Sequence, residues 1–183
     1  RPVKEIILEA KNLIKQGAKE ICLLGQNVNA YHGEYNNTVL SLDKLIFEIA
    51  NLEGIQRIRY MTSHPADMTE GLIKAHGEVE ALMPYLHLPV QSGDDQVLKA
   101  MNRKYNSTEY LSIIEKLRDV RPDIAFSSDI IVGFPGETDR SFENTLNLVE
   151  KVNYSQAYSF KYSRRPGTPG SIMQGQVSED IKT

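Results

Sequence analysis

Asp129 is the side chain in this sequence whose chemistry is hardest to explain as packing. Its carboxylate precedes the β-branched run Ile130-Ile131-Val132, and burying such a group is costly unless a ligand hydroxyl or a structural cation partners it. The corner Gly133-Phe134-Pro135-Gly136 can continue neither a strand nor a helix, so Asp129 and Ile131 lie just ahead of a turn. Other polar groups fall in comparable places. Gln91 offers both a donor and an acceptor. Arg103 carries a guanidinium able to grip a carboxylate in two places, although a solvated surface arginine is the competing reading. Gln26-Asn27 and Ser63-His64 each end an expected strand; Pro65 forces His64 into an extended backbone, and a turn or a structural hydrogen bond would also explain these residues. Phe160 and Tyr162 alternate with Lys161, so both rings face one side, either to stack on a flat ligand or as ordinary core.

The elements that must hold these groups alternate between helix and strand. A helix after Pro2, stopped by Gly17, precedes a strand Glu20–Leu24; a loop runs from Gly25 to Thr38, and Ser41 caps a helix carrying Leu45, Ile46, Ile49 and Leu52. The spacing then predicts a strand Arg57–Thr62, a helix Thr69–Met83, a strand Tyr85–Val90 and helices Gln96–Met101 and Thr108–Val120. The strand holding Asp129 follows, then a helix Asp139–Val152 with Phe142, Leu146 and Val149, capped by Thr138 or Asp139, and a last strand Gln156–Tyr162. Strands that alternate with helices and end in polar residues predict an α/β fold with a parallel sheet. A barrel, whose strand ends share one mouth, suits the distribution better than a doubly wound sheet with one switch point.

Composition narrows the class. A chain of 183 residues with 40% hydrophobic content supports one sizeable core, so a single domain over residues 1–183 is expected. A net charge of −3 argues against a globally basic nucleic-acid binder. No apolar run approaches membrane-spanning length and the chain has one cysteine, so no membrane, no disulfide framework and a cytoplasmic setting are expected. Cys22, between Ile21 and Leu23, is expected to be a buried small apolar residue, and no metal site is expected.

Four motifs taken together carry a resemblance. Gly25-Gln26-Asn27-Val28-Asn29-Ala30-Tyr31, Thr62-Ser63-His64-Pro65, His87-Leu88-Pro89-Val90-Gln91-Ser92-Gly93 with Met101-Asn102-Arg103, and Asp129 to Thr138 resemble the radical S-adenosylmethionine (SAM) methylthiotransferases, in order and along essentially the whole chain. The Gly-Gln-Asn-Val-Asn loop looks like the MiaB-type tRNA branch. The resemblance implies a partial (β/α)6 TIM-like radical SAM barrel. It further implies sulfur insertion at carbon 2 of isopentenyladenosine beside the tRNA anticodon, followed by methylation. SAM would serve as methyl donor and as source of a 5′-deoxyadenosyl radical, with two 4Fe-4S clusters, a sulfur donor, an electron donor and a monomeric parent enzyme.

By the same resemblance, Gln26, Asn27, Ser63, Gln91, Arg103, Asp129, Ile131, Gly133, Phe160 and Tyr162 would contact the cofactor, and Lys161, Arg164 and Arg165 would meet tRNA phosphates unless they form a solvated edge. Glu137 fits the superfamily's loose Gly-x-Ile-x-Gly-x-x-Glu pattern poorly, falling one residue late. The radical cluster needs three thiolates in a Cys-x-x-x-Cys-x-x-Cys loop, and this chain offers only Cys22. A fragment is therefore expected, lacking the first barrel strand, the cluster loop, the upstream cluster domain and the downstream RNA-binding domain. It would hold no catalytic residue of its own, bind no cluster and be inactive alone. Three other readings stay open: a methylthiotransferase acting on threonylcarbamoyladenosine or a ribosomal protein, a catalytically silent nucleotide-binding α/β module, and an ordinary phosphate-binding barrel enzyme.

Overall fold

The computed structural model describes residues 1–61 and 63–183. Thr62, placed by the sequence at a strand end and in the Thr62-Ser63-His64-Pro65 motif, lies outside the described residues. In chain order the elements are helix α1 (Val3–Lys15), strands β1 (Glu20–Leu23), β2 (His32–Tyr35) and β3 (Thr38–Ser41), helix α2 (Leu42–Ala50), strand β4 (Arg57–Tyr60), helix α3 (Glu70–Glu78) and strand β5 (Tyr85–His87). They continue with helices α4 (Asp95–Ala100) and α5 (Ser107–Val120), strand β6 (Ala125–Val132), helix α6 (Asp139–Val152), strand β7 (Gln156–Lys161) and the short helix α7 (Pro169–Ile172). The chain forms two compact units, one of residues 1–87 and 115–125, the other of residues 88–114 and 126–183.

In the first unit β1 pairs in parallel with β4, Glu20 opposite Arg57 through Leu23 opposite Tyr60. Helix α2 buries Leu42, Leu45, Ile46 and Ile49 at the spacing that puts them on one face. Helix α3 is capped by Thr69, whose Oγ1 accepts from the Leu72 amide, but it stops at Glu78, short of the expected Met83. The expected loop between Gly25 and Thr38 instead contains an antiparallel hairpin. Strands β2 and β3 meet around Asn36 and Asn37, whose φ values of 50° and 62° supply the two left-handed residues of a tight turn.

Cys22 corrects the expectation of burial: it is exposed, because alternation along β1 turns Ile21 and Leu23 inward and Cys22 to the opposite side. Partial burial and the nearby Glu20 carboxylate raise its thiol pKa, with desolvation the larger cause and the Arg59 cation opposing.

In the second unit β6 pairs in parallel with β7, Ser127 opposite Gln156 through Val132 opposite Lys161. The regular strand before them ends at His87, three residues earlier than the sequence suggested, where Pro89 interrupts the ladder. Backbone bonds remain at the two ends of segment 88–91, from the Leu88 amide to the Ser127 carbonyl and at Gln91, and side chains hold the groups between. Ser128 Oγ accepts from the Val90 amide (2.9 Å) and donates to the Leu88 carbonyl (3.2 Å). Tyr110 Oη donates to the same Leu88 carbonyl (2.9 Å), and Tyr105 Oη donates to that of Val90 (2.9 Å). The burial that makes these bonds strong pushes the Tyr105 phenol up to about 12.

Helix α6 has the predicted bounds and its Thr138 cap, yet it buries Ser141 and Thr145 and leaves Phe142 and Leu146 exposed. Gly93 explains this orientation. A Cβ there would lie 2.6 Å from the Asn144 carbonyl and from Thr145 Cα, so backbone packs directly on the helix and only small side chains fit beneath it. Thr145 Oγ1 then accepts from the Gly93 amide at 3.0 Å and lies 3.3 Å from Ser92 Oγ.

Candidate functional site

The second unit contains a cavity of about 800 Å³, in the size range of small-molecule sites, walled in part by Gln91, Arg103, Asp129, Ile131, Phe160, Lys161, Tyr162 and Arg165. The β6–β7 register brings several of these together. Asp129 and Ile131 are two apart on β6 and share a face, and Phe160 stands opposite Ile131. Ile130 and Ser128 face the other way and are buried, so alternation separates the polar cavity-lining position from the core within three residues. Phe160 is 53% exposed, so it is not core packing at this position.

Gln91 is held in the left-handed region, φ 71°, a conformation that costs a non-glycine residue about 1–3 kcal/mol. Its amide donates to the Asp129 carbonyl and its carbonyl accepts from the Ile131 amide, both at 2.9 Å. Those bonds, with Ser92 and Gly93 anchored on α6, hold the strain. Asp94 completes the loop: Oδ1 accepts from the Gln96 and Val97 amides at the start of α4, and Oδ2 accepts from Asn144 Nδ2 at 2.8 Å. Ser128, Tyr105, Tyr110 and Thr145 thus position the site without reaching it, and nothing in the sequence periodicity singled them out.

Two polar atoms in the cavity wall are buried without a hydrogen-bond partner among the described residues, Arg103 Nε and Tyr162 Oη. Buried donors are normally satisfied, so two orphans in one wall point to a ligand that carries acceptors. The Tyr162 ring packs edge-on against Phe134, with centroids 5.1 Å apart, and its hydroxyl lies where a Cβ on Gly170 would come within 2.5 Å.

Gly133 (φ 72°) turns the chain after β6, and its amide donates to the Glu137 carboxylate. Glu137 therefore braces the corner despite its imperfect spacing; burial raises its pKa, the Gly133 amide opposes that shift, and Asp94 adds to it. Arg164 lines a neighbouring hollow with Lys161, and Lys161 Nζ donates to Thr183 Oγ1 at 2.7 Å.

Gln26, Asn27 and Ser63 belong to the first unit. Gln26 is exposed, and Asn27, at a bend in the chain, donates from Nδ2 to Asp67 Oδ2 at 2.6 Å. Ser63 is buried, its Oγ without a partner among the described residues. His64 is extended, as Pro65 requires, and its backbone is clamped by Asn29: the His64 amide donates to Asn29 Oδ1 and Asn29 Nδ2 donates to the His64 carbonyl, both at 2.9 Å. The second Asn of the loop motif is thus structural, a role the sequence reading missed. Among the described residues no cluster of His, Cys, Asp and Glu could hold a metal ion, and no helix is long and apolar enough to cross a membrane.

Residues 1–149 match the family model described as Radical SAM superfamily. The chain belongs to the radical SAM superfamily. Membership implies SAM and an iron–sulfur cluster. Over all 183 residues the chain is 62% identical to the tRNA-2-methylthio-N(6)-dimethylallyladenosine synthase of Wolbachia pipientis subsp. Culex pipiens and 57% identical to that of Bartonella henselae. It spans 42% and 40% of the lengths of these relatives.

Among solved structures, Streptococcus suis SuiB bound to S-adenosylmethionine matches 91% of the chain and 35% of its own at TM-score 0.59 and 11% identity. The cobalamin-dependent radical enzyme OxsB with aqua-cobalamin and S-adenosylmethionine matches 81% of the chain and 22% of its own at TM-score 0.61 and 14% identity. At such identities the likeness establishes the fold, a partial radical SAM barrel, and agrees with the parallel α/β arrangement expected from the sequence.

The second unit's cavity fits a SAM-like ligand: Arg103 suits a carboxylate, Asp129 suits hydroxyls, and Phe160 offers a ring face. The fit does not extend to a cluster, because one cysteine cannot supply three thiolates.

Proposed function

We propose that this chain is the cofactor-binding core of a radical SAM tRNA methylthiotransferase that adds a methylthio group to carbon 2 of N6-dimethylallyladenosine next to the anticodon. The observation that carries the reading is identity of 62% across the entire chain with a Wolbachia synthase of that name. The cavity supports it from an independent direction, since its polar groups suit the cofactor the superfamily implies.

SAM supplies, when bound, the radical that opens an unreactive adenine carbon–hydrogen bond and the methyl group transferred. The chain's own part is binding and orientation. Arg103 pairs with the amino-acid carboxylate; Gln91, pre-set by its strained backbone, and Asp129 take the ribose side; and Ile131 and Gly133 border the adenine with Phe160 and Tyr162. Lys161, Arg164 and Arg165 meet tRNA phosphates, and the acidic balance of the chain assigns most RNA affinity to other parts of the protein.

By itself the chain binds no cluster and is inactive; the parent enzyme, a cytoplasmic monomer, uses two 4Fe-4S clusters, a sulfur donor and an electron donor. The test is to reconstitute the full-length gene product anaerobically and assay tRNA from a strain lacking this modification. The 2-methylthio nucleoside is expected. Unmodified tRNA beside cleaved cofactor would assign another methylthiotransferase branch, and a product that leaves SAM intact would overturn the reading.

A further inference from the structure

The corner after β6 and the end of β7 are joined by a residue that the site as described does not use. Lys182 has a side chain only 4% exposed, unusual for a lysine, and its ammonium has two hydrogen-bond partners. It donates to the Tyr162 carbonyl at 3.1 Å and pairs with Glu179 at 2.8 Å, and it lies 5.7 Å from the centre of the Tyr162 ring, within cation–π range. Its stem crosses Gly133: a Cβ there would stand 2.5 Å from Lys182 Cγ and 2.8 Å from Cδ and Cε. A lysine tail usually swings away from such a clash, but this one is tethered at its tip. The same segment returns a second bond to the corner, the Gly136 amide donating to the Gly175 carbonyl at 2.8 Å.

The geometry points to Lys182 as a positioning residue that locks the Tyr162 ring and the Gly133–Gly136 corner together, and so holds the Tyr162 hydroxyl in place as a hydrogen-bond donor to the ligand of the cavity. This rests on the reading of that cavity as a SAM site. Tyr162 then acts through its hydroxyl, which is buried and unpartnered among the described residues, while its ring is occupied by Phe134 and Lys182. Phe160 is left as the ring available for stacking.

Two measurements on the full-length gene product test this. In hydrogen–deuterium exchange without ligand, Lys182→Met, which keeps the stem but removes the cation, is expected to speed exchange of the Gly133, Phe134 and Gly136 amides about tenfold, and Lys182→Arg to restore protection. Unchanged exchange in Lys182→Met would overturn the proposal. In calorimetric titration with S-adenosylhomocysteine, Lys182→Met is expected to weaken binding about tenfold and Lys182→Arg to stay within about twofold of wild type. Equal binding by all three would also overturn it. A wild-type protein that does not bind S-adenosylhomocysteine would overturn the SAM reading, while the exchange experiment still decides the lock. If Lys182→Met does not fold, Tyr162→Phe gives the answer: a loss of about tenfold in binding with unchanged corner exchange supports the hydroxyl's role, and wild-type affinity refutes it.

Discussion

Acidification is expected to strike this protein at a buried pair in the first unit, His76 and Tyr60. His76 is 1% exposed, its Nε2 lies 2.7 Å from Tyr60 Oη, and its Nδ1 has no hydrogen-bond partner among the described residues. Burial lowers the imidazole from 6.5 to about 4, the Arg121 cation adding to the shift, while burial pushes the Tyr60 phenol far up so that it stays a neutral donor to Nε2. Between pH 6.5 and about 4 the unfolded chain therefore binds the proton that the folded chain refuses. Stability from this residue is complete above 6.5 and falls as pH drops through that window. A difference of roughly 2.5 pH units corresponds to about 3 kcal/mol, enough to matter against a total of about 5–15 kcal/mol. Denaturant unfolding of wild type and His76→Asn across pH 4 to 7.5 isolates the contribution: the gap between them is expected to shrink by about 3 kcal/mol toward the acid end. Parallel curves, or an NMR midpoint for His76 near 6.5, would refute the reasoning.

Other changes test how the second unit's loop is held. Gly93→Ala places a methyl 2.6 Å from α6 backbone and is expected to cost about 3 kcal/mol, read as a lowered denaturation midpoint; an unchanged midpoint would mean that the helix yields freely. Ser128→Ala leaves the buried Val90 amide without its acceptor and is expected to cost about 1–3 kcal/mol by the same assay. Gln91→Gly relieves the left-handed strain and is expected to raise stability by about 1 kcal/mol while weakening S-adenosylhomocysteine binding in the full-length protein; a gain in both would remove Gln91 from the site. Arg103→Ala is expected to weaken the same binding by about tenfold or more with little change in melting, and undiminished affinity would show that its unpartnered donor faces no ligand.

Much of the framework is legible from local chemistry. The cap at Thr138, the glycine stop at Gly17 and the β-branched run of β6 mark elements whose ends need a specific side-chain acceptor or positive φ. What escaped has a common cause. The hairpin β2–β3 lacks an apolar alternation, and its signal was the turn pair Asn36-Asn37. The expectation for Cys22 followed its neighbours' character when strand alternation opposes theirs. Helix α6 shows an apolar stripe at Phe142 and Leu146, but its inward face is chosen by the backbone of Gly93, a contact 51 residues away along the chain from Asn144.

The same reasoning explains why the candidate site residues stand out in the sequence and those that brace them do not. Asp129, Gln91 and Arg103 are conspicuous because each is a polar group set where packing alone gives it no reason to be. Ser128, Thr145 and Tyr110 are inconspicuous because small or amphipathic residues pass for core. Yet the segment 88–91 has Pro89 in its middle and cannot complete a ladder, so the Leu88 carbonyl and both backbone groups of Val90 are satisfied from side chains. A backbone held that way can be fixed in a conformation a regular strand forbids, and Gln91 sits at φ 71° at its end. The loss of regular pairing after His87 is therefore what allows the chain to aim a carboxamide at the cavity, and the buried hydroxyls are the cost of that freedom.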